Sequence, residues 1–123
     1  MKVRRVLEQA GMVCILSDQE PDLKSGEFAP FFKRSALSIK LIARLTQKTG
    51  ATVIAGYSHR LPDGKGFNIF FRSVDDRIYQ QDLKQGITAM NSIIEKCART
   101  ALPQYQWEYK RFKTRPQGSE RLY

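Results

Sequence analysis

Apolar residues recur along this chain with two different periods. Val3, Val6, Leu7 and Ala10 share one helical face and Gly11 offers a stop, which predicts a short helix over residues 1–10. The run "MVCIL", residues 12–16, is continuously apolar, the pattern of a strand covered on both faces of a parallel sheet. Over residues 35–49, Leu37, Leu41 and Leu45 repeat with Ile42 beside them, predicting a second helix that Gly50 ends. "ATVIAGY", residues 51–57, reads as the next strand, so strand, crossover helix and strand make a right-handed βαβ unit. "LPDGKG", residues 61–66, is a turn, and "FNIFFR" after it alternates, with Phe67, Ile69 and Phe71 on one face. Its expected partner is residues 51–59, antiparallel across that turn. The clearest element spans residues 82–101, where Leu83, Ile87, Met90, Ile94, Cys97 and Ala101 recur at helical spacing, Asp82 caps and Pro103 closes.

These elements predict an α/β domain with a mixed, mainly parallel sheet and flanking helices. They are few for such a layered fold, and the chain opens almost directly on a strand of buried type. Edge strands are normally shorter or more polar. An incomplete domain is therefore expected, with further sheet and one helix layer before residue 1. There is no internal repeat and no linker, so residues 1–123 read as one unit, with residues 103–123 as a basic and aromatic C-terminal strap.

Composition narrows the class of partner. At 41% hydrophobic and 27% charged, the 123 residues suit a soluble globular domain with a modest core. The formal charge of +9 favours an anionic partner: nucleic acid, an acidic protein, a phosphorylated ligand or an anionic membrane surface. Cys14 and Cys97 sit in apolar patterns and read as buried thiols rather than a disulfide. No apolar run approaches the ~20 residues needed to cross a bilayer.

The candidate chemistry gathers in two places. The first is the predicted loop "SDQEPDLKSGEFAPFFKR", residues 17–34, far longer than the usual connection of about 2–6 residues. It leaves the carboxyl end of a predicted parallel strand, where open α/β sheets place ligands. Asp18 and Glu20 can orient a base, accept hydrogen bonds, hold a basic segment, or simply cap a turn. Gly26 offers a backbone conformation that other residues avoid. Phe28, Phe31 and Phe32 either line an apolar groove or anchor the loop to the core. Lys33 and Arg34 precede a predicted helix start, where they either reinforce an anion site or stand in water. The second place is the strap, where Lys110, Arg111, Lys113, Arg115 and Arg121 interleave with Tyr105, Trp107, Tyr109 and Phe112. That mixture suits a lipid headgroup layer, single-stranded nucleic acid, or a strap whose rings pack on the sheet while its bases stay in water. His59, the sole histidine, reads as a surface or turn residue. No metal-ligand spacing, P-loop or nucleophile elbow occurs, and Ser35 and Ser38 lack the context of a nucleophile.

"GMVCILSDQEPDLKSGEFAPFF", "TGATVIAGYSHRLPDG" and "YQWEYKRFKTRPQGSERLY" together resemble, in order, the C-terminal portion of the late acyltransferases of lipid A biosynthesis, the lauroyl and myristoyl transferases. The resemblance implies a glycerolipid-acyltransferase-like fold and transfer of a fatty acyl group to a hydroxyl of a lipid A precursor. It implies no bound cofactor, with acyl-acyl carrier protein as donor. The implied partners are acyl carrier protein, the lipid A precursor, an anionic membrane surface and an N-terminal portion; nucleic acid is disfavoured. The implied place is the cytoplasmic face of the bacterial inner membrane, peripherally, with the fragment soluble when isolated. The family's central acidic segment corresponds to Asp18, Gln19 and Glu20. Its glycine-phenylalanine block corresponds to Gly26, Phe28, Pro30, Phe31 and Phe32. Its basic ending corresponds to Trp107, Arg111, Phe112, Lys113, Arg115 and Pro116. Asp18, Gln19, Glu20 and Gly26 are thus expected to support the active-site loop, and Phe28, Phe31 and Phe32 to border the acyl chain. Lys33, Arg34, Arg111, Lys113 and Arg115 are expected to meet sugar phosphates or the acidic carrier. Two departures stand out. Lys33 occupies a position where many relatives have glycine. The family's catalytic motif, a histidine followed after four residues by an acid, is absent, because Gly64 stands at that spacing from His59. No catalytic residue and no metal ligand is therefore assigned, and the chain alone is expected to be inactive.

Overall fold

Residues 2–123 are described in a computed structural model of the protein; Met1, the first residue of the expected N-terminal helix, lies outside them. The elements in chain order are α1 (Lys2–Glu8), β1 (Gly26–Phe31), β2 (Arg34–Ile39), α2 (Leu41–Thr49), β3 (Ile54–Arg60), β4 (Phe67–Ser73) and α3 (Leu83–Thr100). Short 3-10 turns at Asp76–Tyr79 and Leu102–Gln104 flank α3.

The expected mainly parallel sheet is not what forms. Among the described residues the strands make two separate antiparallel pairs, β1 with β2 and β3 with β4. Residues 12–16 form no strand, and Met12 is 93% and Leu16 73% exposed. An apolar run becomes a buried strand only where other strands and layers cover it, and none among the described residues does. Cys14, in that run, is accordingly exposed rather than buried. Without this strand the described residues form no βαβ unit and no crossover.

Residues 35–39 are the second correction. They form most of β2, and the helix starts only at Leu41. A four-residue apolar repeat is also a multiple of the strand period of two, so Leu37 and Leu41 fit either element. Pairing decided the matter: Phe28 faces Leu37 and Ala29 faces Ala36 across the ladder. Lys33 and Arg34 therefore stand at a hairpin tip and not at a helix start.

The β3–β4 hairpin and α3 follow their patterns. Tyr57 faces Phe70 and His59 faces Asn68 across the expected turn. Asp82 caps α3 by accepting from Lys84 N at 2.9 Å and Gln85 N at 3.4 Å. The buried side of α3 is wider than its predicted stripe. Gly86, Ala89, Asn91 and Ile93 join Ile87 and Met90 in the interior, while Leu83, Ile94 and Cys97 are only half-buried. The extra width comes from β1, which packs along one flank of α3. The core links Ile87, Met90 and Ile93 of α3 with Ala29 of β1, Ala43 of α2, and Val74 and Ile78 beyond β4. Thr46 of α2 ties itself to that layer, its Oγ1 lying 3.1 Å from Ile78 O. Gly50 ends α2 in the left-handed conformation at φ 65° with its N–H on Thr46 O, a conformation glycine adopts without steric cost.

The two-residue turn joining β1 to β2 needs positive φ twice, at Phe32 (46°) and Lys33 (62°). Hairpins prefer glycine there, so a side chain at Lys33 costs about 1 kcal/mol. Glu95 of α3 offsets part of this by accepting the Phe32 N–H at 2.7 Å. Lys33→Gly is expected to raise the unfolding free energy by about 0.5–1 kcal/mol, read as a higher urea midpoint at unchanged slope.

Candidate functional site

The two chemistry-rich segments meet. Residues 17–25 and the strap complete the cover of the β1–β2 hairpin that α3 begins: Pro21 lies beside Leu37 at Gly26, and Arg111 reaches Ser38 and Phe31 on the face that Ala29 turns to α3. The sign of this is three consecutive buried residues, Ala36, Leu37 and Ser38, which requires cover on both faces of β2.

Arg111 is the centre of the contact. It is 4% exposed, donates from Nη1 to Leu37 O at 2.7 Å and from Nη2 to Ser38 Oγ at 2.8 Å, and lies over the Phe31 ring at 5.1 Å. Burial pulls its pKa down, and the charges of Tyr105, Glu20, Tyr109 and Asp18 push back, so this buried cation sits among acidic groups. Ser38 Oγ accepts a second bond from Asn91 Nδ2 at 2.8 Å and lies 3.2 Å from Ala36 O. Asn91 Nδ2 also reaches Pro30 O at 2.9 Å. One serine hydroxyl thus joins α3, the hairpin and the strap. With its lone pairs engaged and the residue fully buried, Ser38 is no nucleophile.

The acidic segment closes the other side. Glu20 accepts from Thr114 N at 3.1 Å and from the Thr114 hydroxyl, and its own N–H donates to Tyr109 Oη at 2.8 Å. Glu20 thus accepts hydrogen bonds from Thr114 of the strap. Asp18 is half-buried beside Tyr105 and Arg111, and Gln19 is exposed. Arg115 Nη1 donates to Ser35 O at 2.8 Å, a second tie from strap to β2.

Gly26 is required for space and not for its dihedral angles, which are not in the positive-φ set. A Cβ there would come within 2.7 Å of the Leu37 side chain and 2.9 Å of Pro21 Cγ. Phe31 is buried, with Phe32 edge-on at 4.8 Å and Phe112 at 6.0 Å, so it anchors the hairpin to the core. Phe32 is half-buried between Trp107 at 5.5 Å and the Arg99 guanidinium at 5.0 Å, and Phe28 is also half-buried. The structure therefore draws Asp18, Glu20, Gly26, Phe31, Arg111 and Arg115 into one assembly. Lys33, Arg34 and Lys113 stay in water around it. Lys113 borders a shallow depression of about 610 Å³ with Glu20, Pro21, Asp22, Glu108, Tyr109 and Lys110.

Asn91, Thr114 and Glu95 were missed in the sequence. Asn91 left a signal, a polar residue next to Met90 on the apolar side of α3. Thr114 and Glu95 left none. His59 is half-buried on β3, facing Asn68, and forms no ion pair with a carboxylate among the described residues. Nor do the described residues hold three His, Cys, Asp or Glu placed to bind a metal ion, or a helix long and apolar enough to cross a membrane.

Residues 2–114 match the family described as bacterial lipid A biosynthesis acyltransferase. Lipid A biosynthesis lauroyltransferase of Escherichia coli (strain K12) is 30% identical over 115 residues, covering 93% of this chain and 38% of that protein. Lipid A biosynthesis palmitoleoyltransferase of the same organism is 33% identical over 118 residues, covering 95% of this chain and 38% of that protein. A lipid A biosynthesis acyltransferase of Shigella flexneri gives the same figures. The chain thus spans 38% of the length of these curated relatives.

Three outcomes test the assembly. Arg111→Met keeps the apolar stem but strands Leu37 O and Ser38 Oγ, and is expected to cost about 2–4 kcal/mol in urea unfolding; Arg111→Lys should not restore it, because an ammonium cannot span both acceptors. Gly26→Ala is expected to cost about 1–3 kcal/mol by overpacking against Leu37. Tyr105 has its pKa raised above the usual 10.0 by burial and by the Asp18 carboxylate. A raised folded-state pKa contributes stability that is complete below the unfolded value and is lost as pH climbs through the folded one. Stability should therefore fall above about pH 10, and Tyr105→Phe should flatten that alkaline limb in pH-dependent melting.

Proposed function

Since this chain belongs to the bacterial lipid A biosynthesis acyltransferase family, we propose that it is the loop-and-strap part of an enzyme that acylates a lipid A precursor. The donor is the thioester of an acyl-acyl carrier protein, and no cofactor is bound. The acceptor hydroxyl oxygen attacks the thioester carbonyl carbon, the carbon–sulfur bond breaks, and the carrier's thiol leaves. The hydroxyl proton passes to a general base and from there to the departing sulfur.

The observation that carries this reading is the clamp built by Arg111, Ser38, Asn91 and Glu20. It fixes the acidic segment, the Phe-rich hairpin and the basic strap as one rigid surface, and these are the segments that resemble the family. Rigid placement is what a surface needs in order to orient a substrate. Around the clamp, Lys33, Arg34 and Lys113 are exposed and suit anionic groups: the phosphates of the acceptor, an acidic carrier protein or a membrane of anionic lipid. Phe28 and Phe32, half-buried beside those bases, suit the first carbons of an acyl chain. The location that fits is the cytoplasmic face of the bacterial inner membrane, peripherally.

The general base is the part of this reaction to which no residue of the chain is assigned. His59 is the sole imidazole, and Gly64 stands where the family motif has an acid. The chain by itself is therefore expected to give no acyl transfer from radiolabelled acyl-acyl carrier protein to a lipid A precursor. Turnover above the no-enzyme rate, abolished by His59→Ala, would show that this histidine is the base and would overturn the assignment.

A further inference from the structure

Residues directly opposite across an antiparallel ladder share a face. In the β3–β4 hairpin the pairs Ala55–Arg72, Tyr57–Phe70 and His59–Asn68 make one face. It is the partly covered one, with Tyr57 stacked on Phe70 at 5.2 Å. The pairs Ile54–Ser73, Gly56–Phe71, Ser58–Ile69 and Arg60–Phe67 make the other. That face is bare: Ile54 is 62%, Phe67 60%, Ile69 67% and Phe71 74% exposed. At its foot Ile54, Phe71, Val74 and Tyr79, with the charged Arg72 and Asp76 beside them, line an open depression of about 430 Å³. Beyond the hairpin itself, residues 68–73 of β4 make no backbone hydrogen bond among the described residues.

An apolar strip beside an unpaired strand edge is a surface made for another layer and another strand. Three occupants compete. Hydrocarbon fails because it cannot satisfy the free N–H and C=O groups of the β4 edge. A second copy would have to pair β4 with β4, and it is separated from the next candidate by its dependence on the concentration of this chain. The third is polypeptide of this same family. The chain spans 38% of its relatives' length, so well over half of each relative lies outside the match.

We propose that the bare face and free edge of β3–β4 are the seat of a sheet-forming segment from that unmatched part of a lipid A acyltransferase. The segment pairs with β4, sets apolar side chains on Ile54, Ile69 and Phe71, and brings an acid to Arg60. This rests on the family membership and not on catalysis, so a failure to find acyl transfer leaves it standing.

The test mixes this chain with a tagged polypeptide comprising the unmatched portion of the Escherichia coli palmitoleoyltransferase. Capture of the chain is expected, with amide hydrogen exchange in residues 54–73 slowed at least about tenfold and other segments little changed. The double variant Ile69→Ser, Phe71→Ser should lose at least about tenfold in capture while keeping its circular dichroism, since both side chains already face water. Absence of capture, or equal capture of the variant, overturns the proposal. So does protection of residues 54–73 that grows with the concentration of the chain alone, which marks a second copy. Protection on phosphatidylglycerol vesicles without the added polypeptide marks a lipid occupant and overturns it as well.

Discussion

A buried guanidinium holds this structure together. Removing a cation from water costs several kcal/mol unless its donors are met. Arg111 meets much of that cost with a carbonyl, a hydroxyl and an aromatic face, all from the β1–β2 hairpin, and only its Nε is without a partner among the described residues. Because it is anchored there, the strap cannot drift from β2. Because Glu20 grips Thr114 and Tyr109, the acidic segment cannot drift from the strap. Three segments with little regular structure are thereby fixed by a handful of directional bonds.

The molecule has two unlike halves. On the side of α3 that faces β1 and β2, Asn91 and Arg111 are joined deep inside through the Ser38 hydroxyl, which specifies one arrangement of hairpin, helix and strap, while Asn91 Oδ1, Arg111 Nε and Arg115 Nε find no partner among the described residues. On the side of β3 and β4 the reverse holds: side chains of core type point into water, and one strand edge is open. A hairpin of two strands is marginal in water by itself. This one leans on α3 through β3, and past the end of that helix Gln104 bonds both the N–H and the C=O of Arg60. The first half has the character of a finished surface, the second that of an interior face.

The family reading joins these halves. In the proposed function the aromatic and basic groups orient an anionic, acylated substrate, and the clamp is what would hold them in place. Two of the bases that look most available in the sequence, Arg111 and Arg115, have guanidinium donors turned inward onto backbone carbonyls. Of the five bases expected to meet anions, Lys33, Arg34 and Lys113 are the ones left at the surface, and sequence alone does not distinguish them from Arg111 and Arg115.

What the sequence by itself determined are the features set by local periodicity and capping. α3 with its Asp82 cap, the stop at Gly50 and the antiparallel pairing of Phe67–Ser73 with Ile54–Arg60 were all legible, because neighbours along the chain dictate them. The ordered motifs also sufficed to point to the family. Only the tertiary structure decided the rest. Residues 12–16 have the composition of a buried strand, but a strand exists only with a partner, and none is present among the described residues. Residues 35–39 fit two periods equally, and the choice fell to Phe28 and Ala29 across the ladder. The fate of each basic residue in the strap depended on whether a carbonyl lay within 3 Å or so of its guanidinium, a distance set by residues more than seventy positions away.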